Sequence, residues 1–161
     1  MRKIILVAAG AGMLAAAPAA AGTNSATLTV QATVAESCEV SDATLSWTGL
    51  GVLAGTDHDT STSMSITCTD GAAYNINLGG GNNEATGQRN MLGATNGDTI
   101  PYDLYLGVPS SGTIVPVGSA VAAGTGDGTA QTMTIGGRIP SSAANVSADS
   151  YSDSVAVTIT F

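Results

Sequence analysis

Nine short runs rich in β-branched and apolar residues, closed by glycine, asparagine, aspartate or serine, limit what this chain can fold into. They cover residues 27–34, 36–40, 43–47, 62–68, 73–78, 102–107, 113–117, 130–136 and 154–161. Turn signals lie between them: Asp70-Gly71, the run Gly79-Gly80-Gly81-Asn82-Asn83, Asn96-Gly97-Asp98, Ser110-Ser111-Gly112 and the stretch 124–128. Apolar residues almost never recur at helical spacing. Side chains alternate across a strand, so runs of this length between turn residues predict strands. Many short strands with little helix predict an all-β sandwich or barrel.

The first and last runs alternate most cleanly. In Thr27–Val34, Leu28, Val30, Ala32 and Val34 share one face, and Thr27, Thr29, Gln31 and Thr33 share the other. A strand-ready segment just ahead of the first cysteine suits a chain that completes a neighbour's sheet. In the run 154–161, Val155, Val157, Ile159 and Phe161 share a face. That run reaches the last residue, so no further strand is expected after it. In an immunoglobulin-like sandwich a missing final strand leaves a groove and an unpaired edge, which is a hazard unless something covers it.

Residues 1–21 read as a secretory signal peptide. Arg2 and Lys3 give the positive start, residues 4–17 the apolar run, and Ala19-Ala20-Ala21 a small-residue cleavage site. The run is short and rich in Ala and Gly, unlike a membrane span of about 20 strongly apolar residues. The expected organisation is therefore a leader over 1–21, an N-terminal donor-strand extension over 22–36 and a single β-sandwich domain over 37–161. Loss of the leader takes Arg2 and Lys3 with it and leaves twelve carboxylates against two bases, Arg89 and Arg138. Such a surface repels nucleic acid and anionic lipid, so no nucleic-acid partner is expected. Export to an oxidising compartment makes a disulfide the expected state of the two cysteines, Cys38 and Cys68.

No constellation of residues points to catalysis, a metal or a cofactor. The single histidine, in Asp57-His58-Asp59, reads as an exposed polar turn, since no metal or acid–base partners stand near it in sequence. Asp127 and the Gly-Asn run at 79–83 have the composition of ion-binding loops without their spacing. The serines lack a matching base. Trp47 reads as a core residue, and Asn145-Val146-Ser147 as an ordinary loop. Arg89 and Arg138 are expected to pair with carboxylates.

Taken in order, several segments resemble one family. They are the alternating run before Cys38, SITCTDG around Cys68, YNINL at 74–78, Arg89-Asn90-Met91, PYDLYLG at 101–107, GGRIP at 136–140 and the ending YSDSVAVTITF. The chain resembles a spore coat U domain protein, the subunit type of archaic chaperone–usher pili in Gram-negative bacteria. It departs from that pattern in reading LSWTGLG after the first strand, and VPVGSAVAAG in the later half. The resemblance implies an immunoglobulin-like β-sandwich lacking its final strand. A periplasmic chaperone would lend a strand first. At an outer-membrane usher, the N-terminal segment of another subunit would then replace it. Leu28, Val30, Ala32 and Val34 would be the donor side chains. The strand carrying Val155, Val157, Ile159 and Phe161 would hold the chaperone, with the Phe161 carboxylate as anchor. The implied function is a structural, non-enzymatic subunit of a cell-surface pilus serving adhesion and biofilm formation. The alternative is a monomeric secreted binding module, an adhesin tip or coat protein, that keeps its N-terminal strand in its own sheet.

Overall fold

Residues 20–161 are described by the structure, a computed structural model. The expected signal peptide lies almost wholly outside them. A boundary between compact units falls between Thr33 and Val34. Residues 20–33 enter no strand, and Leu28 and Val30 are 86% and 82% exposed.

From Val34 onward the described chain is all β. Its strands are β1 (Cys38–Val40), β2 (His58–Cys68), β3 (Ala73–Leu78), β4 (Arg89–Gly93), β5 (Thr99–Leu106), β6 (Thr113–Ile114), β7 (Ala120–Thr125), β8 (Ala130–Ile139), β9 (Tyr151–Ser152) and β10 (Val157–Thr160). They form two sheets. The larger runs β1-β2-β8-β5-β4-β9, with β6 beside β5, and the smaller runs β10-β3-β7. Every pairing between these strands is antiparallel. Alternation places Met64, Ile66 and Cys68 of β2, Tyr74, Ile76 and Leu78 of β3, and Ile100, Tyr102 and Leu104 of β5 in one buried cluster. Met133, Ile135 and Ile139 of β8 close it. The all-β sandwich read from the sequence is therefore present.

The disulfide forms: Cys38 and Cys68 are register partners on β1 and β2, with sulfurs 2.02 Å apart. It joins neighbours within one sheet rather than bridging the two sheets. It staples a three-residue edge strand that has few ladder bonds of its own.

The sequence reading and the strands differ in places. Residues 27–34 and 43–47 alternate like strands but belong to none. A strand persists only where a neighbouring strand takes its backbone groups, and these two segments have no ladder partner among the described residues. Three strands were missed, β4, β7 and β9. β4 is short and carries a buried arginine, and β7 is built from alanine and glycine, poor strand formers that pairing with β3 recruits. β9, a two-residue strand on β4, lies just ahead of the last run, of which only Val157–Thr160 form a strand, β10 on β3.

Candidate functional site

The smaller sheet ends on one side at β10, and the larger one ends at β1, which lies close to β10. Beside them opens a cleft of about 650 Å³. One wall is the segment 40–47, and the other is 151–157. Its floor is apolar: Met64, Leu78, Tyr102, Leu104 and Ile135. A second hollow of about 650 Å³ continues it, sharing Leu45, Ser46, Trp47, Met91 and Tyr151 and extending to Leu53, Ile100 and Val146.

The first wall is a strap without a ladder. The Ser41 N–H donates to Ser65 O at 2.8 Å, and the Ser65 N–H donates to Ser41 Oγ at 2.9 Å. Thr60 Oγ1 donates to Ser46 O at 2.9 Å, and Trp47 Nε1 to His58 O at 2.8 Å. Asn145 Oδ1 accepts from the Leu53 and Ala54 N–H groups at 3.0 and 3.1 Å. Pegged in this way, Trp47 stands edge-on to Tyr102, with ring centroids 6.1 Å apart at 61°. It fits because β8 has glycine beneath it. A Cβ on Gly137 would meet Leu45 Cδ2 and come within 2.8 Å of the Trp47 ring. Gly137→Ala is therefore expected to lift Trp47 from β8 and destabilise the domain by about 1–3 kcal/mol, the usual range for overpacking. Denaturant unfolding with Trp47 fluorescence reads both effects.

The second wall is fixed by Asp153. Its carboxylate accepts from the Tyr102 hydroxyl at 2.6 Å, from the Asn82 and Asn83 N–H groups at 2.8 and 3.2 Å, and from Asn83 Nδ2 at 3.1 Å. Burial pushes the Tyr102 hydroxyl well above the usual tyrosine range, and the bond to Asp153 adds to it, so Tyr102 stays a neutral donor. The loop 79–83 is thereby tied to the chain just before β10. Beyond Asp153, Val155, Val157 and Ile159 pack half-buried against the core, while Phe161 is 53% exposed. β10 pairs with β3 along one edge, and its other edge has no ladder partner among the described residues. Two walls of mixed polar and apolar residues, an apolar floor and a free strand edge leave room for one extended chain. Main-chain hydrogen bonds would hold such a chain, and alternate side chains would enter the cleft.

The sequence model of the Spore Coat Protein U domain matches residues 24–158. The chain belongs to this family. Among solved structures it is similar to the chaperone–tip adhesion subunit pre-assembly complex of the archaic chaperone-usher Csu pili of Acinetobacter baumannii. There the TM-score is 0.57 at 19% identity, covering 80% of this chain and 41% of that one. A chaperone–tip adhesin complex of CFA/I fimbriae matches at a TM-score of 0.48 and 14% identity, covering 76% of this chain and 41% of that one. The chain thus spans about two fifths of the length of the solved chains it matches. No curated protein sequence matches it. The first likeness gives the sandwich its class, the immunoglobulin-like fold.

In this Spore Coat Protein U domain the expected residues are placed unevenly. Val155, Val157 and Ile159 lie beside the cleft, and the bonded pair Cys38 and Cys68 lies in the β1–β2 pair next to it. Arg138 pairs with carboxylates as expected, bidentate on Asp59 at 2.6 and 2.7 Å and 3.3 Å from Asp57. Arg89 does not. It is 3% exposed and donates to three main-chain carbonyls, Gly79 at 2.9 Å, Val115 at 2.7 Å and Leu78 at 3.1 Å. The end of β3 and the loop after β6 leave those oxygens inside the fold, and no carboxylate reaches the guanidinium. His58 begins β2 rather than sitting in a turn. Trp47, expected in the core, is half-buried at the cleft wall. Asp153 was not singled out from the sequence. The signal available was an acid inside an otherwise strand-like ending.

Proposed function

We propose that the chain is a structural subunit of a chaperone-usher surface pilus, polymerising by donor-strand exchange. It would be exported with residues 1–21 as leader and pass through the periplasm to the cell surface, where the fibre serves attachment and biofilm formation. Its partners are a periplasmic chaperone, an outer-membrane usher and other subunits. Segment 22–36 of one copy is the donor extension, and residues 37–161 of the next form the receiving domain. Leu28, Val30, Ala32 and Val34 enter the cleft, along the free edge of the strand carrying Val157 and Ile159.

The observation that carries this reading is a matched pair. One described segment alternates apolar side chains with no strand to join, and a cleft with an apolar floor lies beside an unpaired edge. Strand addition is an established recognition mode, with donor-strand complementation of pilins among its known cases. Burying Leu28, Val30 and Val34 is worth about 1.5–3 kcal/mol each. Their sum is comparable with the stability of a whole domain, so dissociation is expected to be slow and fibre persistence kinetic.

Deletion of residues 23–34 tests it. The shortened subunit is expected to co-purify with chaperone and to give no ladder on gels run without boiling. A ladder from the deletion overturns the proposal. A full-length chain that stays a stable, non-assembling monomer without chaperone would favour the secreted binding module instead.

A further inference from the structure

A second free edge lies on the smaller sheet. β7 pairs with β3 alone, so its other edge has no ladder partner among the described residues. Among the described residues, the Thr125 carbonyl is the one outer group that is capped, by Gln131 Nε2 at 3.2 Å. Natural sheets guard such an edge with charge, proline or a covering loop. β7, reading AVAAGT, carries neither a charge nor a proline. The neutrality extends well past the strand. From Leu104 to Gly126 no residue is charged, while twelve carboxylates crowd the rest of the chain. Leu104 and Val115 of this stretch are buried in the core, while other parts of it come together nearer the surface. Leu106 and Gly107 of the β5 end and Ala122 of β7 line a common cleft of about 380 Å³, and Val108 and Ile114 are exposed.

We infer that the β7 edge is a homotypic docking surface, at which β7 pairs antiparallel with β7 of a second copy. Charge selects the occupant. Two molecules this acidic repel wherever their carboxylates meet, and like charges brought together at an interface cost several kcal/mol. The uncharged β7 edge is where that penalty is least. A basic partner finds no counter-charge on it. An antiparallel edge is also complementary to its own copy across a two-fold axis, which closes the contact at a pair. The contact is separate from the strand-receiving cleft, so it joins subunits of neighbouring fibres side by side and does not lengthen any one of them.

The test is sedimentation velocity of the full-length exported chain at about 20 mM and about 500 mM NaCl, where the screening length shrinks from about 20 Å to about 4 Å. Self-association is expected to strengthen with salt, because screening relieves the repulsion of the acidic remainder. Ala123, exposed on β7, is the reporter. Ala123→Glu places like charges near the two-fold and is expected to weaken association at least about tenfold. Ala123→Cys is expected to form an interchain disulfide between copies. Association that falls with salt, an Ala123→Glu chain that associates like the parent, or a cysteine variant that never cross-links overturns the inference. The unboiled gel ladder, read on the same samples, is expected to be unchanged in Ala123→Glu. It reports donor-strand exchange separately.

Discussion

Replacing Val30 with aspartate is expected to leave the stability of the subunit unchanged and to abolish its assembly. Val30 is 82% exposed and belongs to no strand. Exposed substitutions of this kind change stability by no more than about 0.5 kcal/mol. In the proposed assembly the same side chain would meet the apolar floor of another copy, built from residues such as Met64, Leu104 and Ile135. A carboxylate buried there has no positive partner, since Arg138 is held by Asp57 and Asp59 and Arg89 by three carbonyls. The lost apolar burial and the unpaired charge together cost on the order of 3–5 kcal/mol. That corresponds to a loss of about 10²–10⁴-fold in assembly. Thr29→Asp is the control. It lies on the opposite face of the alternation and is expected to be tolerated. The two variants are compared by unboiled gel electrophoresis of surface fractions and by thermal unfolding of the chaperone-released subunit. Fibres of normal abundance from Val30→Asp would sink the donor assignment.

Arg89→Met is expected to unfold or nearly unfold the domain. The guanidinium joins the two sheets, reaching from β4 in the larger to the Leu78 and Gly79 carbonyls at the end of β3 in the smaller. Burial pulls the guanidinium below its usual range, and Tyr102, Asp103 and Asp153 nearby oppose the shift. Methionine fills much of the volume but supplies no donor. Three carbonyls are then left inside without partners, and Asp153 loses a neighbouring positive charge. Breaking a buried charged network costs about 3–5 kcal/mol, a large part of a stability that is typically 5–15 kcal/mol. Lysine keeps the charge but not the planar fork, so Arg89→Lys is expected to recover only part of the loss. Urea unfolding of the three proteins checks the order. A methionine variant as stable as the parent would show that the three carbonyls find water or relax.

Much of the sandwich was legible because its strands are amphipathic on the spot. In β2, β3 and β5 a period of two in the chain became a buried face and an open face. The disulfide was legible from count and compartment alone. Residues 43–47 were not. Leu45 and Trp47 alternate like strand residues, and the segment is instead a strap held to β2 by hydrogen bonds from the Thr60 and Trp47 side chains. β7 failed in the opposite direction. Alanine and glycine give no local signal, and its strand exists because β3 offers it a ladder. Of the candidate site, Val155, Val157 and Ile159 could be listed as one face, but not the cleft they border.

By itself the sequence determined which residues alternate, which pair of sulfurs can join and how strongly acidic the surface is, because these follow from neighbours along the chain and from composition. Only the tertiary structure decided which strand edges are left without partners, where an apolar cleft stays open and that Arg89 serves carbonyls rather than carboxylates. Backbone pairing is a contest among segments far apart in the chain, and its vacancies are fixed only when all the other pairings have been made.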